Sequence, residues 1–424
     1  MRRRFLVRTS LLDFASLVLG TVVASLIVFD HLLPWTVRSD IGPLLGFLVV
    51  GLVVGSYVSL RAWGNAVPRP SYGRAVTITV VTVGVAALSV VLFRTYWSRP
   101  FLGITAGTML AVTLLHRAVS RTRPWTESVL LITGEKQFPD HLRMAAHANV
   151  IDVLDPRSDE IPVPLEAGVT LAVDLRAVLS ERVAQFVASS NIAGYTIRSL
   201  ASLYEEHTGR FAVVHLADGW ELSAPLERSA TYVPVKRVID FTLVLLTLPL
   251  WLVLGIVIWT AIRLDSPGRA VFRQQRVGRN GEEFTLYKFR TMVHDAESDG
   301  PRFAEANDDR LTRVGRTLRR FRADEIPQLW NVLRGDLSLV GPRPERPEFV
   351  AAFSESIPFY AFRHLIRPGL TGWAQVNYGY ADDEADTIEK LTYDLYYVKY
   401  MSLWLDLQVL GKSIWTVLSG FGAQ

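Results

Sequence analysis

Asp324 and Glu325 are adjacent carboxylates flanked by cations. Arg316, Arg319, Arg320 and Arg322 precede them, and the turn Gly341-Pro342-Arg343-Pro344 follows a short segment later. Carboxylates in such company can stay ionised, attract a divalent metal and meet a phosphorylated substrate. A second basic stretch lies upstream, in AVFRQQRVGRNGEEFTLYKFRTM, where Arg273, Arg276, Lys288 and Arg290 form a basic face. That face reads equally as a solvated surface or as a phosphate-binding one. Taken alone, the carboxylate pair reads as helix-start charges that complement a macrodipole, worth about 0.3–1 kcal/mol each.

The elements that must position the pair are legible from spacing. Leu311, Val314, Leu318 and Phe321 recur at helical intervals, with Asp308 or Asp309 as a cap. This helix is expected to end near Arg322, because Pro327 suits the first turn of a second one. Asp324 and Glu325 therefore fall in the junction. Before them, Gly278, Asn280 and Gly281 mark a turn, and FTLYKFRTM alternates as a strand does.

The 424 residues predict two or three domains, and the mean hydropathy of +0.23 is high for a purely soluble chain. Four apolar runs, Leu11 to Phe29, Leu44 to Leu60, Ala75 to Phe93 and Phe101 to Leu115, approach the roughly 20 residues a membrane helix needs. Arginines concentrate before the first, between the second and third, and after the fourth, so both ends of this bundle are expected to face the cytoplasm. Asp13 and His116 lie near span ends, where snorkelling is cheap, and an anchor or homo-oligomerisation bundle is expected rather than a transport path. A net charge of +4 gives no reason to expect nucleic-acid binding, and with no cysteine there is no disulfide, thiolate nucleophile or cysteine-held metal.

From Ser128 the texture changes to short β-branched runs (SVLLIT, NVIDVLD, GVTLAVDL, AGYTIRSL) alternating with helical stretches at Pro139 to Ala148 and Leu179 to Ser189. This predicts a small parallel, Rossmann-like α/β sheet. Its first turn carries the single Gly134 and lacks the dinucleotide fingerprint, so a structural or regulatory module is expected. The apolar segment Val238 to Ile262 then holds Pro249 near its centre, Asp240 in its first turn and cations at both ends. Those features predict a re-entrant helix, broken at Pro249, rather than a fifth crossing. Elsewhere, His294 and His364 read as surface or packing residues. Trp373, Tyr378 and Tyr380 could stack on a base or anchor a loop, and Leu403 to Phe421 reads as an interfacial helix.

KFRTM, DEIPQLWNVLRGDLSLVGPRP and RPGLTGWAQVN, followed by LTYDLYYVKYMSLWLDL, resemble the signature blocks of the bacterial sugar transferases, the polyprenyl-phosphate hexose-1-phosphate transferases. The resemblance runs from about Lys236 to the C-terminus. Larger members add four N-terminal helices and a Rossmann-like module. It implies a multi-pass protein of the bacterial inner (cytoplasmic) membrane with three parts. These are a four-helix transmembrane bundle (1–123), a cytoplasmic α/β module (124–230), and a mainly helical catalytic domain (231–424) on the cytoplasmic face, with a re-entrant helix at 236–263. It also implies transfer of hexose-1-phosphate from a UDP-hexose to polyprenyl phosphate, with Mg²⁺ as cofactor. Asp324 would be the nucleophile, and Glu325 would contact metal or handle a proton; the pair would bind the Mg²⁺. Arg319 and Arg343, with Lys288 and Arg290 of the basic face, would hold phosphates. Pro249 would break the re-entrant helix, although Leu248 stands where a serine is frequent. The alternatives are direct attack by the lipid phosphate in a ternary complex, and a scaffold that no longer catalyses; the intact dyad and G-P-R-P turn argue against the scaffold.

Overall fold

The computed structural model describes residues 2–38, 41–62, 71–93, 98–122, 125–161, 166, 168–213, 232–293, 310–378 and 384–419. They divide into two compact units, Met1–Thr126 and Glu127–Gln424.

In the first unit the apolar runs form the helices α1 (Arg2–Phe29), α3 (Gly42–Ala62), α4 (Tyr72–Phe93) and α5 (Arg99–Arg121), with a short α2 (Pro34–Val37). Ser98 starts α5 by accepting a hydrogen bond from the Phe101 amide, with Pro100 in the first turn. Arg8–Val37, Gly42–Ser59 and Arg99–Arg121 are long and apolar enough to cross a membrane, and the apolar Tyr72–Leu88 is shorter. Leu17, Ala24, Leu48, Ile78 and Met109 pack inward, while Leu19, Val53 and Val80 face out. That inside-out apolarity suits lipid surroundings. Small residues set the helix spacing: a β-carbon at Gly51 would lie 2.7 Å from the Thr82 carbonyl oxygen. Asp13 does not snorkel as expected. It is buried and meets Arg117 at two points, 2.8 and 2.9 Å, because a carboxylate inside a bundle must be paired.

The second unit begins with the expected parallel sheet: β1 (Glu127–Ile132), β2 (Ala148–Leu154), β3 (Thr170–Val173) and β4 (Thr196–Ser199), in the order β2-β1-β3-β4. Helices α6 (Gln137–Met144), α7 (Glu181–Ile192) and α8 (Leu200–Thr208) connect or follow the strands. Central β1 is buried on both faces, which is why its sequence is continuously apolar instead of alternating. The sheet packs against the C-terminal part of the chain. Lys399 reaches Glu205 at 2.9 Å, Arg210 reaches Glu389 at 2.5 Å and the Tyr393 hydroxyl at 2.9 Å, and the Trp373 indole N–H donates to the Gly209 carbonyl at 2.8 Å. Trp373 and Tyr378 are thus packing residues, Tyr378 donating to Asp386 at 2.6 Å; Tyr380 lies outside the described residues.

Helix α9 (Tyr232–Asp265) is the long apolar segment, and it runs on through Pro249 without interruption. The proline therefore does not end the helix, although without an N–H it cannot donate to the Leu245 carbonyl. Just before the proline, the Trp251 indole and the Thr247 hydroxyl both donate to the Val244 carbonyl. Both ends of α9 fasten to one stretch of chain. Arg237 donates to the Val332 and Leu333 carbonyls, while Asp265 accepts from the Val314 amide at 3.2 Å.

That stretch follows the antiparallel pair β5 (Val271–Val277) and β6 (Glu283–Phe289). It contains α10 (Arg313–Arg320), a 3₁₀ turn at Ala323–Glu325, and α11 (Gln328–Arg334). Thr312 caps α10 by accepting from the Gly315 amide; Asp308 and Asp309 lie outside the described residues. Then come β7 (Ser338–Val340), α12 (Pro347–Ser356), β8 (Gly369–Thr371), α13 (Trp373–Asn377), α14 (Glu384–Tyr400) and α15 (Leu403–Ser419). The parallel pair β7–β8 is closed by glycines: a β-carbon on Gly369 would meet the Gly341 nitrogen at 2.1 Å. Gly369→Ala is therefore expected to push the Gly341–Pro344 turn aside and to destabilise the protein by about 1–3 kcal/mol. Denaturation midpoints in detergent measure this, and an unchanged midpoint would refute the close-packing account.

Candidate functional site

The carboxylate pair sits in the junction where the spacing put it. Arg322, at φ 52°, turns the chain between α10 and the 3₁₀ turn. Pro327 then begins α11, and Asn331 fixes that helix to β6. Its side-chain amide donates to the Thr285 carbonyl at 2.8 Å and accepts from the Tyr287 amide at 3.2 Å. This brings Lys288, the next residue on β6, to the carboxylates.

The two carboxylates differ in their partners. Glu325 is buried and accepts from Arg322 at 3.1 Å and from Arg343 at 3.0 Å. Burial alone would raise its pKa, but Arg343, Arg322 and Lys288 outweigh it and hold the group at about 2. Asp324 makes no hydrogen bond among the described residues. Burial and the adjacent Glu325 charge push its pKa above the usual carboxylate range, against the pull of Lys288, Arg343 and Arg319. Lys288 is itself lowered to about 8, by burial and by Arg343. The site therefore presents one fixed anion, one open carboxylate, and cations on several sides.

Arg343 depends on a further shell. Its turn is gripped by Arg276, which donates to the Pro344 carbonyl at 3.0 Å, and by Arg363, which donates to the Arg343 carbonyl at 2.9 Å. The next residue, Glu345, is held at about 2 despite its burial by Lys390, Arg363 and Arg276. Arg363 is in turn paired with Asp394 at 2.7 Å, both almost fully buried. None of this second layer is marked by a local sequence pattern, because its members come from β5, the 3₁₀ segment Tyr360–Leu365 and α14.

Of the residues expected at the site, the structure gathers Asp324, Glu325, Arg343, Lys288 and Arg319. Arg319 acts on Asp324 while its Nε donates to the Thr291 hydroxyl at 3.1 Å. Arg290 is not brought to the pair. Its guanidinium closes the loop after α9, donating to the Ser266 and Pro267 carbonyls at 2.8 Å. His364 is pushed down to about 4 by burial and by Arg363, so it is neutral near pH 7 and packs edge-on to Tyr360; His294 lies outside the described residues. Pro249 lies within α9, and no group of three or more His, Asp or Glu able to hold a metal occurs among the described residues. A metal bound at the pair would need substrate oxygens to complete its coordination.

Arg363→Met leaves Asp394 as a buried unpaired charge and is expected to cost about 3–5 kcal/mol. The double variant Arg363→Met/Asp394→Leu should recover much of that in denaturation experiments. Equal midpoints for wild type and the single variant would show that the pair does not hold the turn.

A family model described as bacterial sugar transferase matches residues 231–420. The chain is 43% identical over 240 residues to the UDP-N-acetylgalactosamine-undecaprenyl-phosphate N-acetylgalactosaminephosphotransferase of Aeromonas hydrophila, covering 57% of this chain and 56% of that protein. It is 40% identical over 211 residues to a UDP-glucose:undecaprenyl-phosphate glucose-1-phosphate transferase of Xanthomonas campestris pv. campestris, covering 48% of this chain and 42% of that protein. It is 44% identical over 188 residues to the protein of the same description from Caulobacter vibrioides, covering 43% of this chain and 70% of that protein. The chain thus spans about half the length of the first two relatives, 56% and 42%.

Proposed function

Because this chain belongs to the bacterial sugar transferase family, we propose that it transfers a sugar-1-phosphate from a UDP-sugar to polyprenyl phosphate. The relatives named above act, by their descriptions, with UDP-glucose or UDP-N-acetylgalactosamine and undecaprenyl phosphate. The observation that carries the mechanism is the asymmetry of the pair: Glu325 is committed to two arginines while the Asp324 carboxylate is open.

Asp324 attacks the sugar-side phosphorus of the UDP-sugar. An aspartyl–phosphorus bond forms, the bridging oxygen leaves with UMP, and the phosphosugar stays on the enzyme. A phosphate oxygen of polyprenyl phosphate then attacks the same phosphorus, which restores the Asp324 carboxylate and yields polyprenyl-diphospho-sugar. A diphosphate dianion repels a carboxylate nucleophile, so the ring of Lys288, Arg319 and Arg343 lowers the barrier by neutralising charge where it accumulates. Arginine suits the phosphoryl oxygens through its planar two-point fork. Asp324 and Glu325, with substrate phosphate oxygens, would hold Mg²⁺, which would add further charge neutralisation when bound.

The site belongs on the cytoplasmic face of the inner membrane, where nucleotide sugars are made. Both ends of α9 fasten to the segment Val314–Leu333, which also carries Arg316, Arg319, Arg320 and Arg322. A straight crossing would set those ends on opposite sides of a hydrocarbon layer about 30 Å thick and draw these arginines into it. A helix that dips in and returns, bending at Pro249, avoids that cost.

Asp324→Asn is expected to lower UMP release by about 10³-fold or more. Wild-type protein given a UDP-sugar alone should gain the mass of one phosphosugar at Asp324. Full activity in the variant, or intersecting initial-rate lines with no adduct, would sink the covalent route. A panel of UDP-hexoses and UDP-N-acetylhexosamines in the same assay assigns the sugar.

The pH profile follows from the two shifted groups. Asp324 must be deprotonated to attack, so kcat/KM should rise with pH through its elevated pKa. It should fall again around pH 8 as Lys288 loses its proton. Lys288→Arg should move the alkaline limb upward; an unmoved limb would show that Lys288 does not set it.

A further inference from the structure

We propose that the polar layer inside the four-helix unit binds the phosphate group of an anionic membrane lipid. All four long helices contribute to it: Asp13 from α1, Ser59 from α3, Arg74 from α4, and His116 with Arg117 from α5. The charges do not balance. Asp13 is taken up by Arg117 at 2.8 and 2.9 Å. Arg74, only 7% exposed, lies within electrostatic reach of both. Its one hydrogen bond among the described residues runs from Nε to the Ser59 hydroxyl at 3.4 Å, and its two terminal nitrogens have none. Among the described residues the layer thus holds two guanidiniums against one carboxylate.

Arg74 is the third residue of α4, close enough to the helix end for its side chain to extend into water. It is folded inward instead, with the edge of its fork unpartnered. A phosphate fits that edge, since two oxygens can accept from one guanidinium. His116 leaves Nε2 buried and without a partner among the described residues, and a phosphate oxygen would accept from it in the tautomer with the proton on that nitrogen. The outward faces of this unit are apolar, with Leu19, Val53 and Val80 exposed, so a ligand arrives laterally from lipid. The position of Arg74 in the first turn of its helix matches the depth of a headgroup. This site is separate from the transferase chemistry and stands or falls without it.

The test uses the full chain in nanodiscs of phosphatidylcholine with or without phosphatidylglycerol. Native mass spectrometry reads the retained lipid, and thermal denaturation reads the stabilisation. Wild type should retain phosphatidylglycerol in preference to phosphatidylcholine, and Arg74→Gln should lower that retention about tenfold. Arg8→Gln removes an exposed arginine of α1 and should leave it unchanged. Equal losses in the two variants would mean general surface attraction and overturn the site. Equal retention of both lipids by wild type would overturn it without any variant. If inorganic phosphate in detergent reproduces the whole stabilisation and phosphatidylglycerol adds nothing, the ligand is free phosphate and the lipid assignment fails.

Discussion

Two carboxylates adjacent in sequence cannot both be buried and ionised unless cations surround them, and the part of this chain that holds Asp324 and Glu325 is arranged around that constraint. Glu325 is the member that is tied down, by Arg322 from its own turn and Arg343 from the next one. Removing either arginine would leave a buried charge short of a partner, a far larger penalty than any surface ion pair contributes. Arg343 must therefore be placed accurately, and its placement recruits Arg276, Arg363, Asp394, Glu345 and Lys390. The glycine contact between Gly341 and Gly369 serves the same end from the backbone side.

The fixed anion also acts on its neighbour. Buried, and with the charged Glu325 beside it, Asp324 holds its proton more tightly than an ordinary aspartate. A more basic carboxylate is a better nucleophile once ionised, while Lys288, Arg319 and Arg343 limit how far the shift can go. Burial lowers Lys288 to about 8, with the guanidiniums of Arg343 and Arg276 acting in the same direction and the two carboxylates opposing them. Two groups with displaced pKa values, one acidic and one basic, define a window in which the site is correctly charged.

What could be read from the sequence was whatever depends on neighbours along the chain. The apolar runs, the β-branched strands, the period of Val314 and Leu318, and Pro327 at a helix start all express local rules, and the elements stand close to where those rules put them. The dyad and Arg343 were legible because they occupy short signature blocks. What was hidden depends on contacts across the fold. Asp406 looks like an interruption in an apolar tail, yet it accepts from Lys236 at 2.6 Å and Tyr232 at 2.8 Å, anchoring the start of α9. Arg290 shares the basic strand with Lys288, but only the structure reveals that the Ser266 and Pro267 carbonyls claim it. Arg74 belongs to the arginines between the second and third apolar runs, and only the structure reveals that it is buried, with Ser59 of α3 as its partner.

The anchoring of α9 bears directly on the site. Arg237 binds the Val332 and Leu333 carbonyls at the C-terminal end of α11, where a cation complements the helix dipole and satisfies orphan acceptors. The opposite end of α11 begins three residues after Glu325. Ser338, at the start of β7, donates to Asp240 of α9 at 2.6 Å, and β7 leads directly into the Gly341–Pro344 turn. One face of α9 thus holds both the helix that follows the dyad and the strand that delivers Arg343. Under the proposed transfer, a helix tied this way would set the depth of the carboxylates relative to the membrane surface, and a polyprenyl phosphate confined to that surface would meet Asp324 only at the right depth.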